Sequence, residues 1–160
     1  MKGKHILFIS FIVLLLTYAV LVNSVKWKSS YDTSFEEYEL NQAYILSKAL
    51  NKTGFLNTKF LSAVVTDEEG YIYSADELPF EWSLMVDNDS TIGAILTEKT
   101  LNEFNENSNL ESLKTRSDKV KLLIYVKQTN ENHENMQYYL RLKYKVLGFT
   151  KKIEFKFVKI

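Results

Sequence analysis

Cysteine is absent from the 160-residue chain. Disulfides, thiolate metal sites, iron–sulfur clusters and cysteine nucleophiles are excluded with it. An exported domain lacking disulfides fits a bacterial source better than a small secreted eukaryotic one. Proline occurs once and glycine five times, and no glycines cluster as a phosphate-cradling loop requires. Histidine occurs twice, as His5 in the N-terminal segment and His133 in a polar stretch. A Ser–His–Asp triad would have to use His133 at a hairpin tip. Glu68 and Glu69 sit together in a turn, where carboxylates are solvated rather than matched for acid–base work. The segment Asp87 to Glu98 imitates a calcium loop. The glycine needed at its sixth position is Ile92, however, with Gly93 one place late. Asn51-Lys52-Thr53 and Asn88-Asp89-Ser90 are glycosylation sequons only along a eukaryotic secretory route. The chain is therefore read as non-catalytic, with no cofactor, no metal and no small-molecule substrate.

In place of those motifs stands one long apolar run. Lys2, Lys4 and His5 precede 17 uncharged residues from Ile6 to Val22. That length reaches the lower bound for crossing a bilayer and slightly exceeds a usual signal-peptide core. The side chains that would face lipid are Ile6, Leu7, Phe8, Ile9, Phe11, Ile12, Val13, Leu14, Leu15, Leu16, Val20, Leu21 and Val22. Trp27, between Lys26 and Lys28, reads as an interfacial aromatic that extends the span. One fate is an uncleaved single-pass anchor with a cytoplasmic N-terminus and an extracytoplasmic domain. The short N-terminus carries an amine and two lysines, which resist translocation. A second fate is cleavage after Ser24, with Val22 and Ser24 at the two recognised positions, and secretion; a third is processing after Gly3. Residues 1–28 are then the anchor or signal segment, and 29–160 a single extracytoplasmic domain of a size that supports one core.

Within that domain, Ser34 and Glu37 form a capping box. Phe35, Tyr38, Leu46, Ala49 and Leu50 recur near helical spacing, and Gly54 supplies a stop. The expectation is an amphipathic helix from Phe35 to Lys52. Its acids (Glu36, Glu37, Glu39) fall in the first turn and its lysines (Lys48, Lys52) in the last. Phe60 to Thr66 and Tyr71 to Ser74 flank Asp67-Glu68-Glu69-Gly70 as a hairpin. Pro79 closes it, and Phe80, Trp82, Leu84 and Met85 cover an edge of the core. Thr91 to Asn105 is a second helix candidate, and Asn102 to Asp118 reads as a loop. The last forty residues alternate with period two. Val120, Leu122, Ile124 and Val126 form one run, Tyr138 to Val146 a second, and Ile153, Phe155 and Phe157 a third. Three such runs imply an antiparallel sheet with one buried and one wet face. The fold class is α+β: an N-terminal transmembrane helix, an amphipathic helix, then antiparallel β-sheet.

Charge is segregated although the net is zero: residues 1–28 carry +4, residues 29–118 carry −11, and residues 119–160 carry +7. Either the halves complement each other within one fold, or the basic part meets an anionic partner. If the three final strands are neighbours, Lys121, Lys127, Arg141, Lys143, Lys145 and Lys156 share the wet face. That face suits lipid head groups or wall polymers. Nucleic acid is not expected, because only Tyr125 and Tyr139 would offer stacking surface there.

An apolar N-terminal helix, an amphipathic helix continuing from it and a C-terminal antiparallel sheet resembles the layout of type IV pilins. Pseudopilins and TadE-like minor pilins are similar in outline. Gly3 stands for the family's cleavage glycine, while Lys4 and Phe8 depart from its pattern at the positions of an apolar residue and the signature glutamate. The resemblance implies that Ile6 to Val22 first anchors in the membrane and then packs among helices of a filament. The expected role is a non-catalytic, membrane-anchored component of a bacterial cell-envelope, secretion or pilus-type assembly, with membrane lipid and protein as partners. The alternative is a secreted or surface-associated domain binding anions through its basic sheet face.

Overall fold

A computed structural model describes residues 2–30, 40–87, 114–115, 118–130 and 136–160 of the chain. The apolar run folds as the helix α1, Lys2–Ser24. Its stretch His5–Ser24 has a mean hydropathy of 2.6 and is almost wholly exposed. After Val25 alone, strand β1 begins (Lys26–Ser29), followed by β2 (Ala43–Thr53), β3 (Thr58–Thr66) and β4 (Phe80–Asp87). A two-residue β5 (Lys114–Thr115) precedes β6 (Lys119–Gln128), β7 (Gln137–Val146) and β8 (Phe149–Lys159). One apolar helix followed by antiparallel sheet is thus what the chain forms.

The strands divide into two four-stranded sheets, ordered β1-β2-β6-β4 and β5-β3-β7-β8. Every pairing is antiparallel. A single cluster of buried side chains joins them. Leu50, Leu122, Ile124 and Val126 of the first sheet meet Phe60, Leu140, Leu142 and Phe155 of the second. The architecture is a β-sandwich carried on a helix, with inward positions alternating along each strand. Aromatic pairs clasp the two sheets at both ends. Near α1, Trp27 of β1 lies 5.4 Å from Phe60 of β3. At the far end, Phe80 of β4 meets Tyr138 of β7 at 5.2 Å and Phe157 of β8 at 5.8 Å, edge to face. Such pairs contribute roughly 0.5–1.5 kcal/mol each beyond the area they bury.

Several expectations give way. Residues 43–53, the C-terminal part of the expected amphipathic helix, are strand β2, hydrogen-bonded on one side to β1 and on the other to β6. Among the described residues α1 is the only helix. Short apolar spacings in this stretch fit either period, and pairing on both edges decides for the strand. Lys48 and Lys52 accordingly lie on the buried side of a strand rather than in a helix's last turn. Lys48 reaches over the ring of Phe155, and Lys52 bonds the Leu56 carbonyl and the Asp118 carboxylate, both at 3.1 Å. Gly54 opens the β2–β3 turn at φ +78° instead of ending a helix. The Asp67–Gly70 turn forms, with Gly70 at φ +90°. Its return leg is a single bridge, Thr66 to Ile72, because β3 takes β7 as its partner. Residues 31–39 and 88–113 lie outside the described residues. With them go the capping box, the second helix candidate and all of the calcium-like loop but Asp87.

Trp27 is corrected as well. It is 4% exposed, and its indole N–H donates to Thr58 Oγ1 at 3.2 Å inside the sandwich. The division at residue 28 therefore moves back, since Val25 and β1 already belong to the core. Trp27→Ala is expected to cost about 3–5 kcal/mol, the usual loss for truncating a buried aromatic. Denaturant unfolding of the full chain measures this directly; an interfacial tryptophan would leave the midpoint unchanged.

Candidate functional site: the helix junction and the basic sheet face

The last turn of any helix leaves carbonyls without partners, and here the sandwich supplies them. Lys151 of β8 donates from Nζ to Val22 O at 2.6 Å and to Val25 O at 2.9 Å. Thr53 Oγ1 donates to Ser24 O at 3.0 Å and accepts from Lys26 N–H at 3.2 Å. Higher up the helix, Tyr18 donates its hydroxyl to Leu147 O at 2.6 Å, and its ring lies 5.7 Å from that of Phe149. Gly54 makes room for the joint, since a Cβ there would meet Val25 Cγ2 at 3.0 Å and Ser24 O at 3.1 Å. A cation at a helix C-terminus is favourable through the helix dipole. Burial, with Lys26 adding repulsion, pushes the Lys151 ammonium below its ordinary range. Of the expected lipid-facing residues, Ile6 through Leu16 and Val20 are exposed along α1, whereas Val22 is buried at the joint.

The expected basic face is split by the topology. β6 belongs to the first sheet and β7 and β8 to the second. Lys121 and Lys127 therefore stand apart, with Glu81 opposite Lys127 and Asp87 opposite Lys121 in register. That side of the first sheet is not simply wet, for Leu123 on it is buried too. Arg141, Lys143, Lys145 and Lys156 do share the outer face of the second sheet. There they are joined by two lysines that sequence reasoning missed, Lys59 opposite Lys145 and Lys152 opposite Lys143. Lys152 was within reach, because it continues the alternation of Glu154 and Lys156 backwards. Lys59 was not, because only the β3–β7 pairing brings it there. Glu154 is the one carboxylate among these residues, and it bonds Arg141. Like charges directly opposite in a sheet destabilise it, by a few tenths of a kcal/mol per pair. Two such pairs stand side by side here, at the end nearest α1.

The far end of the sandwich has the opposite character. Asp67 accepts from Tyr71 N–H at 2.9 Å and from the Tyr73 hydroxyl at 3.1 Å. Glu77 accepts from Tyr71 hydroxyl at 2.8 Å and from Ser74 N–H and Oγ, both at 2.7 Å. Desolvation raises Asp67, but the bonds from Tyr71, Tyr73, Gly70 and Glu69 together outweigh it and hold the carboxyl low. Burial and the Asp67 carboxylate push the Tyr73 hydroxyl up to about 12. Each carboxylate closes a turn of the 67–77 excursion. Among the described residues no cluster of histidine and acid side chains could hold a metal ion. His5 lies exposed on α1, and His133 lies outside the described residues.

The chain matches no protein-family model and no curated protein. Among solved structures it is similar to the ASH / PapD-like domain of human CEP192 (PapD-like domain 7). The TM-score is 0.41 at 14% identity, over 84% of this chain and 82% of that one. It is also similar to a family 123 glycoside hydrolase from Clostridium perfringens, with a TM-score of 0.39 at 11% identity, over 86% of this chain. The chain spans only 27% of that hydrolase's length. Scores this low carry no argument about activity or partners.

Two consequences are measurable. Lys151→Met keeps the aliphatic stem and removes the donor, so it is expected to cost about 1–2 kcal/mol. It should also speed amide exchange at Val25 and Lys26 ahead of the sandwich core. Asp67 has a folded-state pKa below its ordinary value, so its bonds stabilise the fold above the unfolded-state pKa and fade as pH falls through the folded one. Asp67→Asn should therefore melt below wild type at neutral pH, with the gap closing in acid; thermal melts across that range check it.

Proposed function

We propose that the chain is a non-catalytic, membrane-anchored protein whose β-sandwich stands outside the cytoplasm and serves a bacterial cell-envelope or secretion assembly. The observation that carries this reading is the pairing of an exposed apolar helix with a joint that bonds its last turns directly to the sandwich. At ~1.5 Å per residue, the 20 residues His5–Ser24 reach about 30 Å, the thickness of a hydrocarbon core. A leader destined for removal needs no fixed relation to the domain that follows. Here Lys151, Thr53 and Tyr18 all bond across the junction. The basic residues on the second sheet's outer face are the surface offered to anionic partners. The pilus variant has less support, because residues 43–53 of the amphipathic helix that formed part of that likeness are strand β2.

The secreted reading is supported by one feature of its own. β1 begins at Lys26, so cleavage after Ser24 would leave every strand whole. Alkaline carbonate extraction of membranes, followed by intact mass, separates the two. The anchor predicts a membrane-pellet species that still contains residues 1–24. A soluble species beginning at Val25 would instead establish the secreted form.

A further inference from the structure

The two ends of the sandwich are built from different chemistry, and the end beside α1 is the unusual one. Three large apolar side chains project from its turns: Phe55 at 75% exposed, Leu147 at 47% and Phe149 at 53%. Leu147 and Gly148 both sit at positive φ, 47° and 94°, in the two-residue turn between β7 and β8. That is the pattern of a type I′ hairpin, whose first position favours Asn, Asp or Gly. A leucine there is strained by the close approach of its Cβ to the backbone. The chain therefore accepts both strain and exposure to keep an apolar residue on this tip. Exposed apolar side chains stand at the far end too, Leu40, Tyr71, Ile72 and Met136, but there the β3 turn itself, Asp67-Glu68-Glu69-Gly70, is polar throughout.

The position of these tips is set by α1. Tyr18 bonds the Leu147 carbonyl and packs its ring at a tilt against Phe149. Gly54, next to Phe55, abuts Ser24 and Val25. Tyr18 lies six residues before the helix end at Ser24, or roughly 9 Å along the axis. The β7–β8 turn is thus level with the upper part of the apolar run and not above it. Behind the tips, the first two rows of the second sheet carry Lys59 opposite Lys145 and Lys143 opposite Lys152. Apolar tips with lysines behind them on one sheet face are the composition of a surface seated in an anionic lipid interface.

We propose that this end of the sandwich is a lipid-docking surface. Phe55, Leu147 and Phe149 enter the interface of the leaflet into which α1 passes, and Lys59, Lys143, Lys145 and Lys152 meet the lipid phosphates. The occupant is the membrane itself, on grounds of continuity with α1 and of charge. The inference rests on the reading of α1 as a retained anchor. Docking orients the sandwich with its acidic far end pointing away from the bilayer.

The chain has no cysteine, so single cysteines introduced by substitution can carry an environment-sensitive fluorophore. Full-length protein labelled at Phe55→Cys, Leu147→Cys, Glu68→Cys or Leu14→Cys is reconstituted into phosphatidylglycerol-containing or pure phosphatidylcholine vesicles bearing a lipid-attached quencher. The expected result is quenching at positions 55, 147 and 14 and none at 68. Quenching at 14 with none at 55 and 147 would overturn the docking surface while leaving the anchor intact. Quenching at 55 and 147 without 14 would remove the anchor and overturn the proposal as stated, because the tips would then reach lipid without α1 in the leaflet. Absence at all three would remove both. A blue-shifted but unquenched probe at 147 would mean that protein, not lipid, covers the tip, and would also overturn the proposal. For the charge, changing the four lysines to Gln should abolish the difference between anionic and neutral vesicles; an unchanged difference refutes their role. Leu147→Asn keeps the turn and relieves its strain, so it should raise the melting temperature while quenching at position 55 falls.

Discussion

Val25 is the single residue between the end of α1 and the start of β1, and the rest of the molecule is arranged around that short joint. A helix cannot end in a packed environment without partners for its final carbonyls. With no loop to carry the chain into solvent, those partners must come from the domain that follows. Lys151 and Thr53 provide them, and each sits on a different sheet. The joint therefore ties α1 to both halves of the sandwich at once. It also sets which connections lie beside the helix, the β2–β3 turn and the β7–β8 hairpin.

The sandwich is closed by aromatic rings more than by aliphatic interdigitation at its ends. Trp27 against Phe60 secures the helix side, and Phe80 against Tyr138 and Phe157 secures the other. This explains why Trp27, flanked by lysines in a four-residue edge strand, is nonetheless part of the core. It is the side chain by which β1, the strand continuous with α1, holds on to the opposite sheet. A helix attached to a frayed strand would have no fixed orientation to the sandwich; a helix continued into a strand with a buried tryptophan does.

Charge follows the same axis. The acidic 67–77 excursion uses its carboxylates to close turns far from the helix, where their hydrogen bonds with Tyr71, Tyr73 and Ser74 are local. The lysines gather on the outer face of the second sheet and are densest in the rows beside α1. The segregation visible along the chain thus appears in the described fold as lysines on the outer face of the second sheet and carboxylates in the 67–77 excursion. Neighbouring lysines across β3, β7 and β8 weaken that sheet slightly, which an anionic surface would offset.

The linear pattern was sufficient for the apolar helix, the Asp67–Gly70 turn and the existence of the strands β6, β7 and β8. Each depends on residues close together in the chain: an uncharged run, a glycine at positive φ, an alternation of period two. It was insufficient for β2, because the spacing of Leu46, Ala49 and Leu50 fits a helix or a strand until β1 and β6 pair with both edges. It was insufficient for the basic face for a related reason. Alternation tells which side of a strand is buried and says nothing of which strand lies next to it. The sheet change between β6 and β7 removed Lys121 and Lys127 from the face, and the β3–β7 pairing added Lys59. Trp27 beside two lysines looked interfacial in one dimension and is core in three, because burial belongs to the partners a side chain meets and not to its neighbours in sequence.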